Sequence, residues 1–204
     1  MSTPNPQGPQ QIYVIRHGEK PPDLPPGQPT APAGPPFGVD IDGNQNPHSL
    51  LPRGWQRSGA LTVLFDPAVG APQAGLRTPT VLYSPSYGNP DKTQAHRTYQ
   101  TIAGLAGRLG LKIQSPLPEG QEAALAEAMM GASGAEVVLI CWEHHHIPAL
   151  GQAIPTVDGT TIPTAWPGDR FDLVWTFARD HATGRYLFGQ TPQQLLDGDE
   201  DTVI

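Results

Sequence analysis

Residues 11–18 read QIYVIRHG, and this short stretch decides the fold. The β-branched and aromatic residues of Gln11–Arg16 are typical of a buried strand, and the glycine after His17 allows the chain to turn sharply. Two further strands are predicted at Thr80–Ser84 (TVLYS) and Val137–Cys141 (VVLIC). The last of them is an unbroken apolar run, as expected for a strand that is covered on both faces.

Helical patterns separate these strands. Helices are predicted over Gly54–Phe65, Asp91–Leu109 and Gln121–Met130. The second helix has one apolar face, made of Ala95, Tyr99, Ile102, Ala106 and Leu109. Near the end of the chain, Asp172–Phe177 and Arg185–Gln190 predict a β-hairpin. Alternating strands and helices favour an α/β fold, here a three-layer sandwich with a largely parallel central sheet flanked by helices, plus the C-terminal β-hairpin.

The chain is organised as a single domain with two irregular parts. Its 204 residues favour one domain over residues 11–204, preceded by a flexible tail at 1–10. Residues 21–49 hold nine prolines and four glycines, so they form either a disordered insertion or an ordered loop over a site. The closing run DGDED, residues 197–201, is expected to be a solvated tail.

Composition excludes several classes of protein. No apolar run is long enough to span a membrane, and the N-terminus lacks the pattern of a secretory signal, so a cytoplasmic location is expected. The single cysteine, Cys141, excludes an intramolecular disulfide. A net charge of −7 argues against a nucleic-acid partner. The hairpin edge leaves a homodimer possible.

The predicted topology brings polar side chains to one edge of the sheet. Ligands of α/β proteins bind outside the carboxyl ends of the strands. His17 follows the first strand, Ser84 ends the second, and the histidines at 144–146 follow the third. We therefore expect these three segments to meet in one crevice.

Four segments, in this order along the chain, resemble the histidine phosphatase superfamily (phosphoglycerate mutase-like, branch 1). They are Ile15–Glu19 (IRHGE), Leu51–Ala60 (LPRGWQRSGA), Val81–Pro85 with Arg97–Thr101 (VLYSP and RTYQT), and Val138–His144 (VLICWEH). The Trp-Glu-His form of the last segment is similar to a bacterial and fungal subgroup. The matches span residues 12 to about 150, and the loop between Pro85 and Arg97 is longer than is usual in the family.

The resemblance implies a role for each matching side chain. His17 would attack phosphorus and carry a phosphohistidine, Arg16 and Arg97 would clamp the phosphoryl oxygens, and His144 would complete the cationic pocket. Guanidinium groups suit this work because they neutralise and orient phosphoryl oxygens. The proton donor to the leaving group would be Glu122 or Glu119, of which Glu122 is preferred. The expected substrate-binding residues are Gly18, Glu19, Ser84, Glu119 and His145.

The leading hypothesis is a metal-independent phosphatase that needs no cofactor and hydrolyses a small phosphomonoester. Three alternatives remain open: a phosphoglycerate-type mutase, a catalytically inactive phosphate-binding or interaction module, and a zinc hydrolase that uses the triple histidine at 144–146 with Glu143. His48, His96 and His181 are interpreted as ordinary polar residues. Segment 21–49 and loop 86–92 are expected to frame the entrance and set selectivity.

Overall fold

The computed structural model describes residues 8–22, 35–73, 75–89, 93–131 and 137–204. Within these ranges it contains six strands and four helices. The strands are β1 (Gln11–Arg16), β2 (Val81–Tyr83), β3 (Ile113–Gln114), β4 (Val137–Trp142), β5 (Leu173–Arg179) and β6 (Tyr186–Pro192). The helices are α1 (Pro52–Phe65), α2 (Arg97–Leu109), α3 (Glu122–Gly131) and α4 (Ile147–Ala153). Most of the predicted tail, residues 23–34 of the insertion and residues 90–92 of the predicted entrance loop lie outside the described residues.

The six strands form one mixed sheet in the order β3-β2-β4-β1-β5-β6. The first four strands in this order are parallel to one another, with Ile12 of β1 opposite Val138 of β4. Strand β5 runs antiparallel to β1, and β6 runs antiparallel to β5. The α/β fold with a largely parallel sheet and a C-terminal hairpin is therefore confirmed.

Both faces of the sheet are buried, because alternate side chains of each central strand enter opposite apolar clusters. Ile12 and Val14 of β1 lie in a cluster with Leu125 of α3 and Leu150 of α4. The residues between them face the other way; Tyr13 and Ile15 pack with Leu61 and Phe65 of α1 and with Ile102 and Leu105 of α2. Helices thus cover the sheet on both sides, which is the predicted three-layer arrangement. Among the described residues, no helix has the length and apolar character needed to cross a membrane.

The main differences from the sequence prediction concern short elements and helix starts. Helix α2 begins at Arg97 rather than Asp91, because His96 has an extended backbone (φ −101°, ψ 142°). Strand β3 has only two residues and α4 only seven, so neither has a periodic pattern long enough to be recognised. Residues 35–50 hold isolated β-bridges instead of regular elements.

The acidic C-terminal run is not a solvated tail. Asp199 within it pairs with Arg57 of α1 at 2.7 Å, and its other carboxylate oxygen accepts hydrogen bonds from the amides of Leu195 and Leu196. The prediction was wrong because a buried arginine elsewhere in the fold needs these charges: only 2% of the Arg57 side chain and 3% of the Asp199 side chain are exposed.

Candidate active site

A cavity of about 230 Å³ lies at the carboxyl edge of the parallel strands. Segments that follow β1, β2 and β4 reach it, as does the start of α2. Its lining contains six side chains that can donate a hydrogen bond to an anion, together with two carboxylates. The described lining residues are His17, His48, Tyr87, His96, Arg97, Thr98, Glu119 and Glu143.

The turn after β1 holds His17 in one tautomer. Nδ1 of His17 lies 2.7 Å from the carbonyl oxygen of Gly18. A carbonyl oxygen can only accept, so Nδ1 carries the proton and Nε2 of the neutral ring keeps its lone pair. The Gly18 amide donates to Oγ1 of Thr101 at 2.8 Å, and that hydroxyl donates to the Arg97 carbonyl oxygen at 2.7 Å. The turn is therefore tied to α2, and the Gly18 amide, predicted to bind substrate, already has a partner within the protein.

The surroundings of His17 favour its neutral form. Burial lowers the pKa of His17 well below its usual 6.5, and the positive charges of Arg16 and Arg97 lower it further, with a smaller effect of His144 in the same direction. The hydrogen bond to Gly18 opposes these effects without reversing them. A neutral imidazole with a free lone pair is a competent nucleophile at neutral pH.

Arg16 lies under the site and is held by the loop that precedes β5. Its guanidinium is stacked 3.8 Å from the centre of the Phe171 ring, and only 1% of the residue is exposed. One of its terminal nitrogens donates to the backbone carbonyl oxygens of Pro167, Gly168 and Arg170, at 3.3, 2.7 and 3.2 Å. Sequence reasoning missed this loop because backbone carbonyl groups occur in every residue and leave no pattern.

Arg97 connects the cavity to the end of the proline-rich segment. It is the first residue of α2, lines the cavity, and donates from Nη2 to the carbonyl oxygen of Pro47 at 2.9 Å. The next residues are fixed through Gln100, whose amide donates to Oγ of Ser49 and whose Oε1 accepts from the Leu50 amide, both at 2.9 Å. The described end of the predicted insertion is thus an ordered loop beside the site.

His144 lies beside His17, with the two ring centres 6.4 Å apart and the rings nearly perpendicular. Its Nδ1 contacts the carboxylate of Glu143. Burial and the charge of Arg16 lower the pKa of His144, against the opposing effect of Glu143. His145, predicted to bind substrate, is exposed and packs its ring against that of His144 at 3.9 Å. It is not among the described residues that line the cavity.

The two candidate proton donors differ in position. Glu119 lines the cavity and accepts a hydrogen bond from the Tyr87 hydroxyl at 3.1 Å, and burial raises its pKa. Glu122 instead accepts from Nε1 of Trp142 at 2.9 Å and from the Gly120 amide at 2.8 Å. Although burial opposes it, these hydrogen bonds lower the pKa of Glu122. The Glu122 carboxylate thus stabilises the start of α3 and is directed to Trp142, whereas Glu119 lines the cavity.

Two other predicted site residues serve the framework. Glu19 pairs with Arg57 at 2.8 Å and with Arg53 at 3.2 Å, so its carboxylate neutralises arginines of α1. Ser84 is fully buried and shares a hydrogen bond of 2.9 Å with the hydroxyl of Ser115. Neither is among the described lining residues of the cavity.

Sequence reasoning missed four residues of the cavity lining: His48, Tyr87, His96 and Thr98. The Tyr87 ring stacks on the His96 ring with a centroid distance of 3.6 Å and an angle of 7°, and its hydroxyl bonds to Oγ1 of Thr98 at 2.9 Å. The sequence offered two signals: His96 and Thr98 flank Arg97, and His48 and Tyr87 belong to the two segments that were expected to frame the entrance. His48 and Tyr87 lie on loops, whose course is set by tertiary contacts.

Three groups in the site could also bind a metal ion. His17, Glu143 and His144 each offer one ligand atom, and these atoms all lie within 4.8 Å of one another. Two imidazoles and a carboxylate are a donor set that zinc accepts. The geometry therefore leaves the zinc alternative open.

Comparison with solved structures shows which proteins share this fold. No family model and no curated protein matches the sequence. A protein assigned as the phosphohistidine phosphatase SixA from Agrobacterium tumefaciens is similar over 89% of this chain and 96% of its own, with a TM-score of 0.50 and 13% identity. A protein assigned as an alpha-ribazole-5'-P phosphatase from Escherichia coli K-12 is similar over 89% and 95%, with a TM-score of 0.43 and 13% identity. The chain therefore shares its fold with the protein assigned as the phosphohistidine phosphatase SixA.

Proposed function

We propose that this protein hydrolyses a small phosphomonoester through a phosphohistidine on His17. The observation that carries the proposal is the hydrogen bond from Nδ1 of His17 to the Gly18 carbonyl oxygen. It leaves the Nε2 lone pair of a neutral ring for attack on phosphorus in a cavity that Arg97 also lines. The cavity of about 230 Å³ favours a small substrate, because it falls below the roughly 300–1,000 Å³ of typical ligand pockets.

The reaction has two balanced steps. In the first, Nε2 of His17 forms a bond to phosphorus while the bond from phosphorus to the ester oxygen breaks, and the departing oxygen takes the proton of Glu119. In the second, water attacks phosphorus, the bond from phosphorus to Nε2 breaks, and Glu119 takes a proton from that water. Inorganic phosphate leaves, and both side chains return to their starting state.

The cationic groups stabilise charge on the transferred phosphoryl group. Arg97 lines the cavity, and Arg16 lies close enough to His17 and His144 to lower the pKa of both. Phosphoryl transfer depends chiefly on positioning the group and neutralising its equatorial oxygens. Fixed guanidinium groups do this without reorganisation, and the carbonyl oxygens around Arg16 hold it in place.

Hydrolysis of p-nitrophenyl phosphate in the presence of EDTA tests the proposal. The protein should release phosphate, His17→Asn should abolish release, and His181→Asn, in the exposed hairpin turn, should match the wild type. Rapid quenching should trap a phosphoryl group that is labile in acid and stable in base. Turnover that survives in His17→Asn would remove the nucleophile. Phosphate binding without turnover on a broad panel of phosphate esters would favour a binding module.

A zinc hydrolase is the second candidate, because His17, Glu143 and His144 converge. In that case EDTA would abolish turnover and zinc would restore it. Metal content measured on the purified protein would then be close to one ion per chain, and His144→Asn would lower it. Activity that is indifferent to EDTA, with no bound metal, would exclude this candidate.

A further inference from the structure

Two histidines of the cavity have no part in the proposed chemistry. The rings of His48 and His96 lie with their centres 6.3 Å apart, tilted by 38°, and both line the same cavity as His17 and Arg97. They come from different parts of the chain, one before α1 and the other immediately before α2. Their meeting at the cavity is therefore a product of the fold.

Each ring is held by its surroundings. His96 stacks on Tyr87 at 3.6 Å. His48 precedes Ser49, whose hydroxyl donates to the Ala95 carbonyl oxygen at 2.9 Å and accepts from the Gln100 side chain. The loop that carries His48 is thus fastened to the residues that carry His96. The segments that carry the two imidazoles are fixed in advance, which lowers the entropic cost of binding a ligand between them.

We propose that His48 and His96 form a second anion-binding subsite, so that the preferred substrate is a phosphomonoester whose leaving group carries a further oxyanion. Hydrolysis of such a ligand rests on the proposed function, whereas binding at the subsite does not require turnover. Imidazole N–H groups donate hydrogen bonds to carboxylate or phosphate oxygens. Arg97 and the positive end of α2 add to the favourable potential on this side of the cavity.

The other charged groups that line the cavity are compatible with an anion beside His48 and His96. Burial lowers the pKa of His96, and repulsion by His48 and Arg97 lowers it further. Glu143 is occupied by contacts with His144 and with the His145 amide. Glu119 is hydrogen-bonded to Tyr87. An anion beside the two histidines would relieve the mutual repulsion of the positive groups.

The test compares ligands that share a phosphate and differ in the second group. Ethyl phosphate has none, 2-phosphoglycolate has a carboxylate, and ethylene glycol bisphosphate has a second phosphate. Their dissociation constants would be measured by titration calorimetry on the full chain with His17→Asn, which stops turnover. The variants, made in that background, are His48→Leu, His96→Phe (which keeps an aromatic ring against Tyr87) and both together. His181→Leu, in the exposed hairpin turn, is the matched control.

The measured quantity is the affinity of each ligand with a second oxyanion divided by the affinity of ethyl phosphate. This ratio removes any effect of a variant on binding of the phosphate that all three ligands share. We expect one or both ligands with a second oxyanion to bind about tenfold more tightly than ethyl phosphate, since a hydrogen bond to a charged group contributes on this order. The ratio should fall to about one in the double variant and stay unchanged in His181→Leu.

Several results would overturn the subsite. They are a ratio near one in the parent protein, a ratio that survives in the double variant, and an absence of binding by all three ligands. His48 is exposed, so His48→Leu alone keeps the test valid if the double variant does not fold. Failure of the proposed function is a separate observation, namely no turnover of p-nitrophenyl phosphate by the wild-type protein. If 2-phosphoglycolate gains affinity, the subsite binds a carboxylate, and if ethylene glycol bisphosphate does, it binds a phosphate.

Discussion

At the scale of single residues, one backbone carbonyl group determines the chemical state of His17. The Gly18 oxygen fixes the proton on Nδ1, and burial with nearby arginines keeps the ring neutral. Glu119 has the opposite character, because burial raises its pKa and helps it to keep a proton. His17 and Glu119 line the same cavity, so the proposed nucleophile and the proposed proton donor lie in one site.

Replacing the two candidate acids should separate their roles. Glu119→Gln should lower kcat for an alkyl phosphate by roughly a hundredfold to ten-thousandfold, because the alkoxide then leaves without a proton. The loss should be much smaller for p-nitrophenyl phosphate, whose leaving group needs little protonation. Glu122→Gln is the matched control and should keep the wild-type dependence on the leaving group. Kinetics on a series of phosphate esters would measure this, and equal losses in both variants would contradict the assignment.

The buried His17 should also make stability depend on pH. In the unfolded chain its imidazole takes a proton as the pH falls below about 6.5, whereas the folded protein resists this because its pKa is lowered. The unfolded state then binds more protons, so the free energy of unfolding decreases as the pH falls, by up to about 1.4 kcal/mol per pH unit from this group. His17→Asn should flatten that decrease, and His181→Asn should not. Urea titrations between about pH 5 and pH 7.5 would show it, and parallel curves for wild type and His17→Asn would refute it.

At the scale of elements, the turn after β1 and the start of α1 are packed backbone against backbone. A Cβ atom on Gly18 would lie 3.0 Å from the Gly54 carbonyl oxygen, and one on Gly54 would lie 2.6 Å from the Glu19 carbonyl oxygen. Both positions need glycine because no side chain fits between the two segments. The turn after His17 is therefore in contact with both helices. Gly18 packs against Gly54 of α1, and its amide donates to Thr101 of α2.

Two glycine-to-alanine changes in α1 should therefore have opposite effects. Gly54→Ala should destabilise the protein by about 1–3 kcal/mol, because backbone atoms would have to move. Gly59→Ala meets nothing within 4 Å on the exposed side of the same helix, and it should stabilise by about 0.5–1 kcal/mol through helix propensity. Chemical denaturation measures both. A Gly54→Ala variant as stable as Gly59→Ala would show that the contact is not restrictive.

At the scale of the whole molecule, Arg57 connects the two ends of the chain to the site. Its guanidinium binds Glu19, two residues after His17, and also Asp199 near the C-terminus. Gln193 accepts a third hydrogen bond at 3.0 Å. The C-terminal segment is therefore part of the support of the β1 turn. A buried arginine is stable only when its counter-charges and hydrogen-bond acceptors are all present.

Neutralising Asp199 should lower the free energy of unfolding much more than neutralising the nearby Asp201. Asp199→Asn should lower the free energy of unfolding by about 3 kcal/mol, because Arg57 loses a buried counter-charge. Asp201→Asn, in the same acidic run but exposed, should change it by less than about 0.5 kcal/mol. Thermal or urea unfolding would give the difference. Equal stabilities would mean that Asp199 is solvated, as its acidic neighbours suggest.

The sequence by itself determined the layers of this protein and the strand that carries His17. The apolar period and the turn residues are local properties of the chain, so β1, β4, α1 and α3 could be predicted within two residues, whereas the start of α2 was predicted at Asp91 instead of Arg97. Short elements such as β3 and α4 could not, because a two-residue strand has no period. They form because the sheet and its neighbours already surround them.

Only the tertiary structure decided which polar side chains share the cavity. The sequence indicated Arg16, His17, Arg97 and His144 through motifs, but it preferred Glu122 to Glu119 as the proton donor and counted Glu19 among the substrate-binding residues. The three carboxylates differ in the partner that each contacts: Tyr87 for Glu119, Trp142 for Glu122 and Arg57 for Glu19. His48 and His96 reached the cavity by the same route, through loops fastened by Gln100 and Ser49. Such contacts join residues far apart in the chain, and a local pattern carries no information about them.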